Sequence, residues 1–185
     1  FQVGNVMCAI AACVQLKVPT DVIVDALKHF DSDAQSVPGR FNRFNHQGGL
    51  VIADYGHNPD AIAALVKTLA KVPAKTRRIV LSAAGDRRDV DITEQGRIAG
   101  GFFDDIILFE DACQRGREDG ETFTLLQAGI AQSEQRPAGQ KVSALRGEFN
   151  AIQTALDSAA QGDVTLVLVD QVNEALEYLA KHCKS

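Results

Sequence analysis

Apolar residues crowd almost all round a helix from Val3 to Gln15. Val6, Ala9, Ile10, Cys13 and Val14 take one side, and Met7, Ala11 and Ala12 another. A helix of this kind expects burial on most of its faces. After Val18-Pro19, Thr20 is placed to cap a second helix, whose apolar face is Val22, Ile23, Ala26, Leu27 and Phe30. The polar stretch Asp31 to Ser36 has no periodicity and reads as a linker. Residues 1–36 are therefore set apart from a domain spanning 37–185.

Within that domain, short apolar runs alternate with helical spacing. Phe41–Asn45 and Leu50–Asp54 flank Gln47-Gly48-Gly49 and read as a hairpin. Pro59 sits where a helix starts and its missing N–H costs nothing; Ile62, Leu65, Val66 and Leu69 follow at helical spacing. Further strands are predicted over 78–82, 105–109, 141–145 and 164–169, with helices over 92–102, 121–131, 148–160 and 172–182. Ile79-Val80-Leu81 and Ile106-Ile107-Leu108 suit strands covered on both faces. The expected fold class is α/β: a Rossmann-like, mainly parallel sheet with an antiparallel edge hairpin, helices on both faces, preceded by two helices.

Composition removes several functions. A net charge of -5, with 19 basic residues scattered along 185, argues against nucleic acid as a partner. The longest apolar-rich stretch, Val6 to Val18, is interrupted by Gln15 and Lys17, so no membrane span is expected. No signal peptide opens the chain, and Cys8, Cys13, Cys113 and Cys183 match no metal-ligand or CxxC spacing; a reducing cytoplasm is the expected location. His29, His46, His57 and His182 form no metal-ligand pattern either. Phe1 begins the chain inside a helical pattern without a methionine, which predicts a fragment of something longer.

In sheets of the expected kind, ligands gather at the carboxyl ends of the strands. There the sequence places Asp54-Tyr55-Gly56-His57-Asn58-Pro59, then Ala83 to Asp89, then Glu110-Asp111, and Asp170. Asp54 could accept hydrogen bonds from a ribose, and the helix start at Pro59 favours an anion; equally, Asn58 could simply cap that helix. His57, near a helix N-terminus, should resist protonation. Arg40, directly after the Val37-Pro38-Gly39 turn, could fork onto phosphate or ribose oxygens, or stand solvated. Asp86, Arg87, Arg88 and Asp89 could clamp a charged substrate or pair among themselves at the surface, where such pairs are worth about 0–1 kcal/mol.

These segments, in this order, resemble the C-terminal domain of the Mur ligase family, ATP-dependent enzymes that join a carboxylate to an amine through an acyl phosphate. Phe1-Gln2-Val3-Gly4-Asn5 looks like the family's adenine-contacting segment at the end of its central ATPase domain. Pro38-Gly39-Arg40 and Asp54 to Pro59 look like the hallmarks that open the C-terminal domain. Gly39-Arg40-Phe41-Asn42, Gly85-Asp86-Arg87-Arg88-Asp89 and Arg115-Gly116-Arg117 before Asp119-Gly120-Glu121 resemble the cyanophycin synthetase branch, which builds an arginyl-aspartate polymer.

The resemblance implies that residues 1–36 are the helical tail of an upstream ATPase domain, which becomes the chief partner within the same polypeptide. Asn5, Arg40, Asp54 and His57 would serve the nucleotide, and Asp86, Arg87, Arg88 and Asp89 the incoming amino acid, with arginine and an aspartate polymer as substrates. ATP and Mg2+ would be the cofactors of the intact enzyme. No GxxxxGK[ST] loop occurs in the chain, so neither is expected to bind it tightly alone, no metal ligand or catalytic residue is assigned in it, and the fragment should be inactive. Homo-oligomerisation stays open. So do a peptidoglycan or folate-tail ligase of the same family and a stand-alone nucleotide or amino-acid binding module.

Overall fold

The computed structural model describes residues 2–30, 33–110 and 113–183. It divides into two compact units at Ser32/Asp33. The first holds α1 (Gln2–Gln15) and α2 (Thr20–Lys28). α1 ends on Lys17 at a φ of 58°, with Lys17 N–H donating to the Val14 carbonyl and Val18 N–H to that of Cys13. This left-handed termination satisfies carbonyls that the last turn would otherwise leave unpaired. Two expectations change here. Thr20 is the first residue of α2 and gives no side-chain cap, because the Pro19 carbonyl already accepts the Ile23 N–H and makes Pro19 the cap position. Nor is α1 buried on most faces within its unit, where Val3, Met7, Val14 and Leu16 are exposed; two short helices have too little surface to cover each other all round.

The second unit is the expected α/β layer structure, in the order β1 (Asn42–His46), β2 (Gly49–Asp54), α3 (Pro59–Leu69), β3 (Arg77–Leu81), α4 (Asp89–Gly100), β4 (Asp105–Glu110), α5 (Glu121–Ala131), β5 (Lys141–Arg146), α6 (Glu148–Asp157), β6 (Val164–Leu168) and α7 (Val172–His182). The sheet order is β1-β2-β6-β3-β4-β5. β1 and β2 pair antiparallel, Asn42 opposite Ala53, and every other pairing is parallel.

Handedness explains the layers. From β2 through β3 and β4 to β5 the chain steps one way across the sheet, so right-handed crossovers place α3, α4 and α5 on one face. The return from β5 to β6 steps back and puts α6 on the other face, where α7 joins it. Two cores result. Ile52, Ile79, Leu81, Ile106 and Leu166 meet Ile62, Leu65, Ile92, Leu126 and Ile130. Val51, Val80, Ile107, Phe109 and Val167 meet Ile152, Leu156, Leu176 and Leu179. Alternate residues of each strand serve opposite cores, as a strand period of two requires.

At the amino end of the central strands, Arg78 is buried and gives Nε to Asp105 at 2.7 Å and Nη2 to the Ser158 carbonyl at 3.2 Å, tying β3, β4 and α6 away from the ligand edge. No helix among the described residues is long and apolar enough to cross a membrane.

Candidate functional site

The carboxyl edge of the sheet has a switch point at β6. Its two neighbours, β2 and β3, send their chains to α3 and α4 on one face, while β6 sends its own to α7 on the other. Loops departing in opposite directions open a crevice there. The residues on its rim are held by a small set of buried groups.

The turn before β1 is fixed from two sides. Asn42 accepts the Gly39 N–H at 2.7 Å and donates to the Val37 carbonyl at 3.0 Å. Asp54, at the tip of β2 and only 3% exposed, accepts the Phe41 N–H at 2.9 Å and also the Gly56 N–H. Gly39 and Phe41 both lie at positive φ, 70° and 56°, and Phe41 is a residue type that rarely goes there. The bonds from Asn42 and Asp54 hold that strained turn and leave Arg40 exposed, its guanidinium 5.8 Å from the centre of the Tyr55 ring. Burial pushes the Asp54 carboxyl above its ordinary value of 3.8, against the lowering by the Phe41 and Gly56 N–H groups and the Arg40 charge. Asp54 is thus committed to the protein's own backbone.

Asn58 caps α3 by accepting the Ala61 N–H at 2.8 Å, the simpler of the two readings open for that turn, with Pro59 as the first helical residue. His57, 8% exposed, bonds through Nδ1 to the Tyr55 carbonyl at 3.1 Å. Because a carbonyl only accepts, that nitrogen carries the proton, and Nε2 is left facing Asp170 Oδ1 at 3.8 Å. Its pKa lies below 6.5, as expected. The first cause is burial, where the sequence pointed to the helix start; Arg115 and Arg87 add to it, and the Tyr55 carbonyl and Asp170 oppose. Beside it, a cleft of about 470 Å³ runs between the amino ends of α3 and α4, lined by His57, Asp60, Arg87, Val90, Asp91 and Glu94 among others.

The four charged residues of the next loop do not act alike. Arg88 is spent on Asp91 through two bonds of 2.8 Å, the self-paired arrangement. Arg87 lines the cleft. Asp86 turns toward the crevice, 3.8 Å from Arg115, which also reaches Asp170 at 3.5 Å. Asp89 begins α4 and accepts from Arg117 at 2.7 Å. Arg115 and Gly116 are the two central residues of a tight turn closed by the Arg117 N–H on the Gln114 carbonyl, both at positive φ. For Arg115, at 50°, that conformation costs on the order of 1–3 kcal/mol.

Glu110 and Glu148 repeat what Asp54 does. Glu110 takes the Gly120 N–H at 3.0 Å and the Thr122 hydroxyl at 2.7 Å, pinning the start of α5. Glu148, buried, takes the Asp170 N–H at 2.9 Å and the Gln171 N–H at 3.0 Å, and so sets Asp170 in the crevice. Sequence position put Glu110 on the rim, where the fold spends it on the start of α5, and did not single out Glu148, Asn42 or the geometry of Arg117 for these roles. Asn42, three residues after a turn glycine, was the only one of these with a local signal. Asp111 lies outside the described residues. Asn5 lies exposed on α1, in the other unit.

Chemically, the rim offers an aromatic–cation row (Arg40, Tyr55, His57) and an alternating series Asp86–Arg115–Asp170 that could meet a ligand carrying both charges. Among the described residues, no three His, Cys, Asp or Glu side chains converge as a metal ion would need. These residues fit one wall of a nucleotide site and not a phosphate cradle.

A family model described as Mur ligase, glutamate ligase domain, matches residues 39–169. A cyanophycin synthetase of Synechocystis sp. is 34% identical over 179 residues, covering 97% of this chain and 20% of that protein. The chain thus spans about a fifth of the length of such relatives. The solved UDP-N-acetylmuramate–alanine ligase of Thermotoga maritima overlays with a TM-score of 0.65 at 17% identity, over 98% of this chain and 37% of that one. A bifunctional folylpolyglutamate synthase/dihydrofolate synthase of Yersinia pestis, solved with AMPPNP and a manganese ion, gives 0.57 at 22% identity, over 80% and 32%. These two likenesses speak for the fold. With the family's domain matched from the turn at Gly39 to the end of β6, and ligases among its relatives along nearly its whole length, the chain belongs to the Mur ligase family and carries that family's C-terminal ligase domain.

Proposed function

We propose that this chain is the closing domain of an ATP-dependent amide ligase that adds arginine to aspartate side chains, as its motifs' resemblance to the cyanophycin synthetase branch implies. Residues 1–36 are the tail of the central ATPase domain and a linker, and 37–185 the C-terminal domain. The observation that carries this reading is the split rim. His57, at the end of an aromatic and cationic row with Tyr55 and Arg40, lines the cleft, and so does Arg87 from the Asp86–Asp89 loop. A row of that kind suits a nucleotide's sugar and phosphates. Arg87 and the Asp86–Arg115–Asp170 series suit an amino acid, which brings a carboxylate, an ammonium and, for arginine, a guanidinium.

In this reading Asn5 and Arg40 reach the nucleotide directly, Asp54 serves by holding the turn that presents Arg40, and His57 takes part as a neutral hydrogen-bonding ring. Asp86, Arg87 and Asp89 face or frame the amino acid, while Arg88 steadies α4 through Asp91. ATP, with Mg2+, would activate the acceptor carboxylate by phosphorylation, with ADP and then phosphate as leaving groups, and the ATPase domain would hold the phosphates and metal; the residues here orient the amine and close over it. The test is phosphate release by the purified product of the whole coding sequence that contains this chain, with and without amino acids. Arginine-dependent release is expected. Release driven by another amine and not by arginine overturns the branch, and release indifferent to every amine overturns the ligase.

A further inference from the structure

We infer that Arg117 is a positioning residue: it fastens the Gly85–Asp89 loop to the Gln114–Arg117 turn, so that the two move as one body and present Arg87, Asp86 and Arg115 together. The inference rests on the amino-acid role proposed above for that loop.

The Arg117 side chain is 13% exposed, and each of its three nitrogens has a partner. Nε donates to the Gly85 carbonyl at 2.7 Å, and Nη2 donates to the Arg87 carbonyl at 2.6 Å and to Asp89 at 2.7 Å. Nη1 binds Glu121, the first residue of α5. A single planar guanidinium therefore spans the loop from its first residue to the first residue of α4, with its own end anchored on α5. Lysine, with one point of charge, has no geometry that meets acceptors spread in this way.

The backbones meet as well. A Cβ on Gly85 would stand 2.0 Å from the Gln114 carbonyl oxygen, so the loop crosses that turn at the closest approach a glycine allows. The far side of the turn is held by Glu110 on Gly120. Between these fixed points the turn keeps Arg115 at a φ of 50°, with its guanidinium 3.8 Å from Asp86 and 3.5 Å from Asp170. The turn's own Arg117 N–H to Gln114 carbonyl bond closes it locally, and the side-chain bonds of Arg117 on one side and of Glu110 on the other hold its flanks.

The test compares wild type with Arg117→Ala, Arg117→Lys and Asp89→Asn by amide hydrogen exchange on this chain, and by KM and kcat in the ligase that contains it. Exchange is expected to rise at least about tenfold in residues 85–89 and 113–117 of Arg117→Ala while β3 and β4 stay protected. The KM for the amino acid is expected to rise about tenfold to a hundredfold, as a displacement on the order of 1 Å produces, with the KM for ATP within about twofold. Lysine should rescue little, and Asp89→Asn should shift both readouts the same way, less far. Unchanged exchange in the two loops overturns the fastening. Raised exchange with unchanged KM overturns the positioning role and leaves Arg117 a structural clamp. Should the wild-type ligase show no amine-dependent turnover, the proposed function falls, and the exchange data alone decide the fastening. If Arg117→Ala fails to fold, Asp89→Asn, which keeps an acceptor oxygen but removes the charge that strengthens this one bond, carries the test.

Discussion

At the scale of single residues, the rim works through buried carboxylates that bind backbone. Asp54 is the clearest case, since from the tip of β2 it accepts the Phe41 N–H at 2.9 Å and the Gly56 N–H. Asp54→Ala should therefore unfold more easily, by about 1–3 kcal/mol, as thermal or urea denaturation of this chain would show; a change under about 0.5 kcal/mol would mean the turn is held by Asn42 alone. The pH dependence has a definite sign. With its folded pKa above 3.8, Asp54 binds more proton folded than unfolded. Its contribution is fully present below 3.8 and is lost as pH rises through the folded value. A carboxyl NMR titration placing Asp54 below 3.8 would contradict this. His57 has the opposite slope: held neutral by burial, it costs stability as pH falls below 6.5.

At the scale of elements, close backbone approach decides which glycines can change. Gly85 lies against the Gln114 carbonyl, and Gly116 has nothing within 4 Å but a φ of +94°. Gly85→Ala must push two loops apart and should cost on the order of 1–3 kcal/mol or more, with exchange rising in both loops. Gly116→Ala meets only backbone strain, about 1–2 kcal/mol, and leaves the Gly85 loop as it was. Equal, small effects in a denaturation comparison would show that the loops are not in contact. The element boundaries themselves were legible beforehand: the Asn58-Pro59 start, the hairpin about Gly48-Gly49, and strands and helices ending within a few residues of where the structure puts them. The charged loop was legible as charged, but the split of its labour was not. Arg88 finds its partner three residues away, whereas Asp89, Gly85 and Arg87 find theirs about thirty residues on.

For the whole molecule, the insertion of β6 between β2 and β3 is the governing fact. β2 pairs with β6 and β6 with β3, while β2 and β3 do not touch through backbone bonds. A chain ending before Val164 should lose the cooperative fold outright, with dispersed amide NMR signals absent. A cooperative melt from such a truncation would show that β3 to β5 stand without their neighbour. The element types and the parallel sheet with its hairpin edge were legible in the order of residues, because periodicity, caps and turn residues act over spacings of two to four, and the family resemblance lay in the order of its motifs. Three things emerge only in the folded chain: β6 returns to the centre, Asp54, Glu110 and Glu148 accept from the protein's own loops, and Arg117 binds a loop distant in sequence. Those pairings follow from crossover handedness and from where packed layers bring remote loops together, and no local spacing encodes either.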